Sequence, residues 1–177
     1  MPATSYWFAK RMANHESGYR QFDSLGYPLP NGGHDGGYGL FQVTPPSSAA
    51  QYWNWKANVT KGKSILDSKR DAPTSGATAF WDRQVQQFSD YNAGNPQNPV
   101  QPPESSIEGT FTFAYAPAAG EKSYRDAIWI KQFNGAAANY ISWKNTGLLP
   151  GEAPYWKLNK TNESGINYVN RVCTTSE

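Results

Sequence analysis

The chain predicts a mostly helical domain with one small β-containing lobe. Three observations carry that prediction. Apolar residues recur at helical spacing in several separate stretches, Thr110 to Tyr115 alternates Thr-Phe-Thr-Phe-Ala-Tyr like a short strand, and residues 22–43 are dense in Gly, Pro, Asn and Asp. No internal repeat interrupts this pattern.

The elements follow in order. Residues 5–17 read as a helix, with Trp7, Phe8, Met12 and Ala13 on its apolar side and Gly18 as its stop. Residues 22–43 read as turns, with a short hairpin ending at Tyr38 to Val43. Thr44-Pro45-Pro46-Ser47 opens a second helix, 47–67, whose buried side would hold Trp53, Ala57, Gly62, Ile65 and Leu66. A third helix, 77–91, would turn Phe80, Trp81, Val85 and Phe88 inward. The prolines of 92–108 forbid regular structure and make that segment a long surface loop. Ser123 and Asp126 form a candidate capping box for a helix over 124–133. A last helix is expected near 163–172, with Ile166, Tyr168, Val169 and Val172 as its apolar residues.

Length and composition restrict the function. A chain of 177 residues is one domain, 1–177, able to stand alone or as the catalytic part of a longer protein. Aromatics make up 15% of it, more than its core requires, so some rings are expected outside, where they can stack on sugars or bases. Core packing is the expected place for Tyr52, Trp53 and Trp55. A net charge of +2 with no Lys/Arg run lacks a nucleic-acid footprint, and a slight positive balance suits an anionic polymer. Cys173 is the single cysteine and His15 and His34 the only histidines, so neither a disulfide framework nor a metal site is expected, and no cofactor. No stretch is apolar enough to span a membrane, and no basic, apolar and small-residue pattern of a signal peptide is read at the start, so a signal is not expected. A monomer is expected.

One carboxyl is placed for chemistry. Glu16 closes an apolar helical run and is followed by the glycine-rich stretch Asn31–Gln42. Apolar surroundings on one side, and the negative end of a helix dipole, both favour the protonated acid. A proton held near neutral pH is what a general acid needs to cleave a glycosidic bond. The glycine-rich stretch is not a phosphate loop, since no Gly-Lys-Ser/Thr follows. Glu104 and Glu108 read as solubilising charges, and His15 as a structural or exposed neighbour.

Glu16-Ser17 followed by Gly39-Leu40-Phe41-Gln42 resembles the Glu-Ser and Gly-Leu-x-Gln pair of lytic transglycosylases, members of the lysozyme-like superfamily. Gln132-Phe133-Asn134-Gly135 is similar to the family's Ala-Tyr-Asn-Gly segment, and Tyr168-Val169-Asn170-Arg171-Val172 to its Tyr-Val-x-Arg-Val stretch. The resemblance runs from about residue 10 to 172. Tyr91-Asn92-Ala93-Gly94 is a second copy of the Tyr-Asn-x-Gly pattern, less well placed because it runs into the proline-rich loop.

The resemblance implies a lysozyme-like, two-lobed α+β fold with a sugar-binding cleft between the lobes. It implies cleavage of the β-1,4 bond between N-acetylmuramic acid and N-acetylglucosamine in peptidoglycan, with Glu16 as acid. Gln42 and Asn134 map onto substrate-contacting positions, and Asn134 onto one that supports the acid. Phe133 lacks the phenol hydroxyl usual there, for which Tyr38 or Tyr168 could stand in at the substrate. A lysozyme-type hydrolase needs a second carboxylate, for which Asp23 and Asp35 are the candidates; their alternative role is to hold turns. A transglycosylase needs none. Domains of this kind without a signal resemble phage lysins and wall-degrading effectors of contractile secretion systems. Both act in the bacterial periplasm or wall, the second kept in check by an immunity protein. The contrasting expectation is a wall- or carbohydrate-binding module of the same fold without an acid.

Overall fold

The computed structural model describes residues 6–32, 35–101, 124–135, 141–158 and 163–174. Among them are six helices: α1 (Ala9–Ser17), α2 (Ala49–Trp53), α3 (Trp55–Asp71), α4 (Ala77–Gly94), α5 (Tyr124–Phe133) and α6 (Glu163–Thr174). Two strands, β1 (Ile141–Lys144) and β2 (Tyr155–Leu158), form one antiparallel sheet. The protein is mostly helical with a small two-stranded sheet. The strand expected over Thr110 to Tyr115, Ser123 of the capping box, Glu104 and Glu108, and most of the proline-rich loop lie outside the described residues.

The chain divides into two compact units, Met1–Ser68 with Asn170–Glu177, and Lys69–Val169. In the first unit, α1 buries Met12 and Ala13, as its period predicts, and Phe8 just before it is buried as well. Gly18 ends the helix in the left-handed region (φ 61°), with its N–H on the carbonyl of Asn14 at 2.7 Å. Arg11, on the same helix, is buried and reaches the carbonyl of Cys173 at the end of α6 (3.1 Å), satisfying one of the carbonyls a helix end leaves open. The expected hairpin is thinner than a strand pair. Tyr38 and Val43 form an isolated antiparallel bridge, as do Pro30 with Tyr38 and Phe22 with Pro28.

The helix expected over 47–67 is two helices. It breaks at Asn54, whose backbone is extended (φ −131°, ψ 112°) and whose Oδ1 accepts the N–H groups of Lys56 (2.9 Å) and Ala57 (3.4 Å). A short polar side chain that bonds its neighbours' amides competes with the helix and caps the next one. The break also changes the buried face. Gly62 and Leu66 are inside as expected, but Trp53 and Trp55 are 57% and 52% exposed, and Asn58 is fully buried.

In the second unit, α4 packs against α5 and β1. Val85 on α4 is exposed rather than buried, while Trp81 and Phe88 face an aromatic core. Trp143 and Trp156 pair across the sheet with centroids 5.5 Å apart, and Phe88 meets both. Ile128, Trp129 and Ile130 of α5 are buried. Asn92 pins the first part of the proline-rich segment by exchanging two bonds with the backbone of Val100 (2.9 and 3.0 Å). Among the described residues no helix is long and apolar enough to cross a membrane.

Candidate functional site

Glu16 lies in the last turn of α1 and is half-buried. Its neighbour Ser17 is buried and ties that helix end to the glycine-rich loop. Ser17 Oγ lies 3.0 Å from the carbonyl of Ala13, one turn back, and 3.1 Å from the carbonyl of Leu40, 23 residues away in sequence. The Glu-Ser pair and the Gly-Leu-Phe-Gln segment therefore meet in space within one unit.

The turn Gly39–Gln42 is tight. Gly39 has φ 77°, the left-handed region that favours glycine, and a Cβ there would fall 2.5 Å from Gln21 Oε1 and 2.7 Å from Asn58 Nδ2. Gln42 adopts φ 45° without being glycine, a conformation that persists only where surrounding bonds enforce it. Two buried amides enforce it. Gln21 Oε1 accepts the N–H of Leu40 (3.2 Å), and its Nε2 donates to the carbonyls of Tyr52 (2.7 Å) and Gln51 (3.3 Å). Asn58 Oδ1 accepts the N–H of Phe41 (3.0 Å), and its Nδ2 donates to Tyr38 (2.8 Å) and Gln51 (3.2 Å). Phe41 packs against Gly62, where a Cβ would fall 2.6 Å from its ring.

Gln42 itself is buried. Its Nε2 donates to the carbonyl of Gly39 (2.9 Å), while its Oε1 is a buried acceptor without a hydrogen-bond partner. An acceptor left open in a strained turn is a recurrent mark of a functional position. Tyr38 is half-buried against Tyr52, ring centroids 4.8 Å apart.

The two aspartates hold turns. Asp23 Oδ1 accepts the N–H groups of Leu25 (2.8 Å) and Tyr27 (2.9 Å). Asp35 Oδ1 accepts from Asn31 Nδ2 (2.8 Å) and the N–H of Gly37 (3.1 Å). These are the Asx-turn bonds for which aspartate is favoured in loops. His15 is half-buried, and burial, assisted by the positive charge of Arg171, holds its pKa below the ordinary 6.5.

The remaining candidates belong to the second unit. Asn134 is exposed just past the end of α5, before Gly135 with φ 77°. Phe133 is half-buried and Tyr168 is buried on α6. In the same motif Gln132 donates to the carbonyl of Ser75 (2.9 Å), and Lys131, just before it, is 2% exposed with no hydrogen-bond partner for its Nζ. Burial holds the Lys131 pKa below its ordinary 10.5.

Gln21, Asn58 and Lys131 were not singled out by the sequence. The available signal was an amide or a lysine on a face otherwise apolar, which periodicity treats as noise. Among the described residues no group of three His, Cys, Asp or Glu could hold a metal ion. The chain matches no protein-family model, no curated protein and no solved structure.

Proposed function

We propose that this chain cleaves the β-1,4 linkage between N-acetylmuramic acid and N-acetylglucosamine in peptidoglycan, with Glu16 as general acid. The single observation that supports the reading most is the bond from Ser17 Oγ to Leu40. It joins the Glu-Ser helix end to the strained, amide-clamped turn that bears Gln42. A half-buried carboxyl beside a rigid polar turn is a suitable arrangement for delivering a proton to a bridging oxygen.

The reaction is written for the transglycosylase form. The Glu16 carboxyl gives its proton to the glycosidic oxygen as the bond to the anomeric carbon breaks, and N-acetylglucosamine leaves as the alcohol. The muramic residue's own acetamide carbonyl shares the positive charge that develops. Glu16, now a carboxylate, takes the proton of the 6-hydroxyl as that oxygen closes on the anomeric carbon, giving the anhydro sugar and restoring the acid. The engagement of both Asp23 and Asp35 in turn bonds favours this form, since hydrolysis calls for a second carboxylate at the sugar. Gln42 and Tyr38, in the same unit as Glu16, are the proposed substrate contacts. The partner is the glycan strand, the place of action the periplasm or wall, reached through a secretion system or by phage lysis. An immunity protein covering the acid would protect a producing cell.

Digestion of purified wall sacculi, followed by mass spectrometry of the soluble fragments, tests the reading. Fragments lighter by one water are expected, and Glu16→Gln should lower their release by roughly 10²–10⁴-fold. Hydrated fragments would select the lysozyme form. Sacculi that bind the protein yet release nothing would select a binding module, and an undiminished Glu16→Gln variant would remove that carboxyl from the chemistry.

A further inference from the structure

We infer that the first unit carries a separate apolar pocket that takes a single-chain carboxylate, a fatty-acid-like molecule with its tail inside and its head at the basic rim. The inference stands apart from wall cleavage and does not depend on it. The pocket has a volume of about 500 Å³ and lies among α1, the Gly39–Gln42 turn and the first half of α3. Ala13, Phe22, Leu40, Phe41, Trp55 and Val59 supply most of its wall. That size falls within the roughly 300–1,000 Å³ of ordinary small-molecule sites, which are likewise mainly aliphatic and aromatic.

The wall's hydrogen-bonding capacity decides the class of ligand. Among the described residues Gln21 is the one amide in it, and both ends of that amide are engaged with Leu40, Gln51 and Tyr52. A saccharide brings many hydroxyls that would lose water and find few partners here. An aliphatic chain loses nothing of that kind and gains by leaving water.

Charge decides the head group. Among the described residues Lys10 is the charged one of the wall and is solvent-exposed, and Lys56 holds its ammonium 5.5 Å from the ring of Trp55 at the same wall. Among the described residues the wall contains no acidic one. The rim is also unusually apolar for a surface: Trp55 is 52% and Tyr19 43% exposed, and exposed Trp53 lies against Phe22 with ring centroids 6.4 Å apart. Large aromatics left facing water around a cavity mark a binding surface rather than a core.

Displacement of the fluorescent probe dansylaminoundecanoate from the intact chain tests the assignment. Dodecanoate should displace the probe, and dodecanol, which lacks the charge, should do so about tenfold less well. Val59→Trp, which fills the pocket, should abolish saturable probe binding, with Ala13→Leu as a second filling variant if the first does not melt cooperatively. Lys10→Glu should weaken dodecanoate several-fold and leave dodecanol unchanged. Failure of dodecanoate to displace the probe, equal potency of the alcohol, or wild-type binding by a folded filling variant each overturns the proposal. So does tight binding to phosphatidylglycerol vesicles that both filling variants retain, which would assign the basic apolar surface to a membrane instead of a pocket.

Discussion

The Gly39–Gln42 turn and the Lys131–Asn134 helix end bear two segments of the same resemblance, and they are held in opposite ways. In the turn, side chains brought from α1, the following loop and α3 satisfy the backbone. Ser17 reaches Leu40, Gln21 accepts from Leu40, and Asn58 accepts from Phe41 and donates to Tyr38. Gln42 Oε1 is the buried side-chain atom of that turn without a hydrogen-bond partner. At the helix end two buried side-chain atoms go unmatched, Lys131 Nζ and Gln132 Oε1, while Gln132 Nε2 donates to the carbonyl of Ser75. The turn closes on itself through the Gln42 N–H to Gly39, and the outside amides that take up its remaining N–H groups make it costly to change. The unmatched atoms at the helix end make no bond that holds it, so they are a burden on stability that some other requirement must sustain.

The contrast can be broken most sharply at Gly39. Gly39→Ala would place a methyl in a left-handed backbone position and against the Gln21 and Asn58 amides, so roughly 2–4 kcal/mol of stability should be lost. Urea unfolding measures it, and a loss under about 1 kcal/mol would show that the clamp is not rigid. Lys131→Met should do the reverse and raise stability by about 1 kcal/mol, by removing an unmatched buried ammonium while keeping the apolar stem. The sign with pH follows from the lowered pKa. The folded state resists the proton that the unfolded chain accepts, so wild-type stability should rise as pH climbs toward 10.5. Lys131→Met should flatten that rise, and a destabilised variant would mean the lysine serves the fold.

The smallest effect is expected at His15. Its folded pKa lies below 6.5, so the native state is disfavoured as pH falls below that value, where the unfolded chain takes up a proton first. His15→Asn should lessen this acid-side loss in thermal melts between neutrality and mild acid, while leaving neutral stability nearly unchanged. An unaltered pH profile would show that the imidazole is not sensing its burial.

Much of the helical layout was readable in the chain. Gly18 as the stop of α1, the existence of α4, α5 and α6, and the burial of Met12, Leu66 and Ile128 follow from local period and from glycine's freedom at a helix end. The break at Asn54 was missed because one short side chain, bonding Lys56 and Ala57, outweighed an otherwise continuous pattern. The sheet was missed because β1 and β2 are four residues each and become strands only by pairing with one another, in a register fixed by Trp143 against Trp156. Asp23 and Asp35 were legible both as catalytic candidates and as turn formers, and their hydrogen bonds are those of turn formers.

The order of residues alone determined most of the helical segments and set two short motifs, Glu16-Ser17 and Gly39–Gln42, apart as candidates, because propensity and spacing act over a few neighbours. Only tertiary structure decided that those motifs touch through Ser17 and Leu40, that Gln21 and Asn58 lock the turn, and that Trp53 and Trp55 face water. Such facts depend on which distant groups satisfy a buried N–H or carbonyl, and the free energy that selects them is shared among partners far apart in the chain.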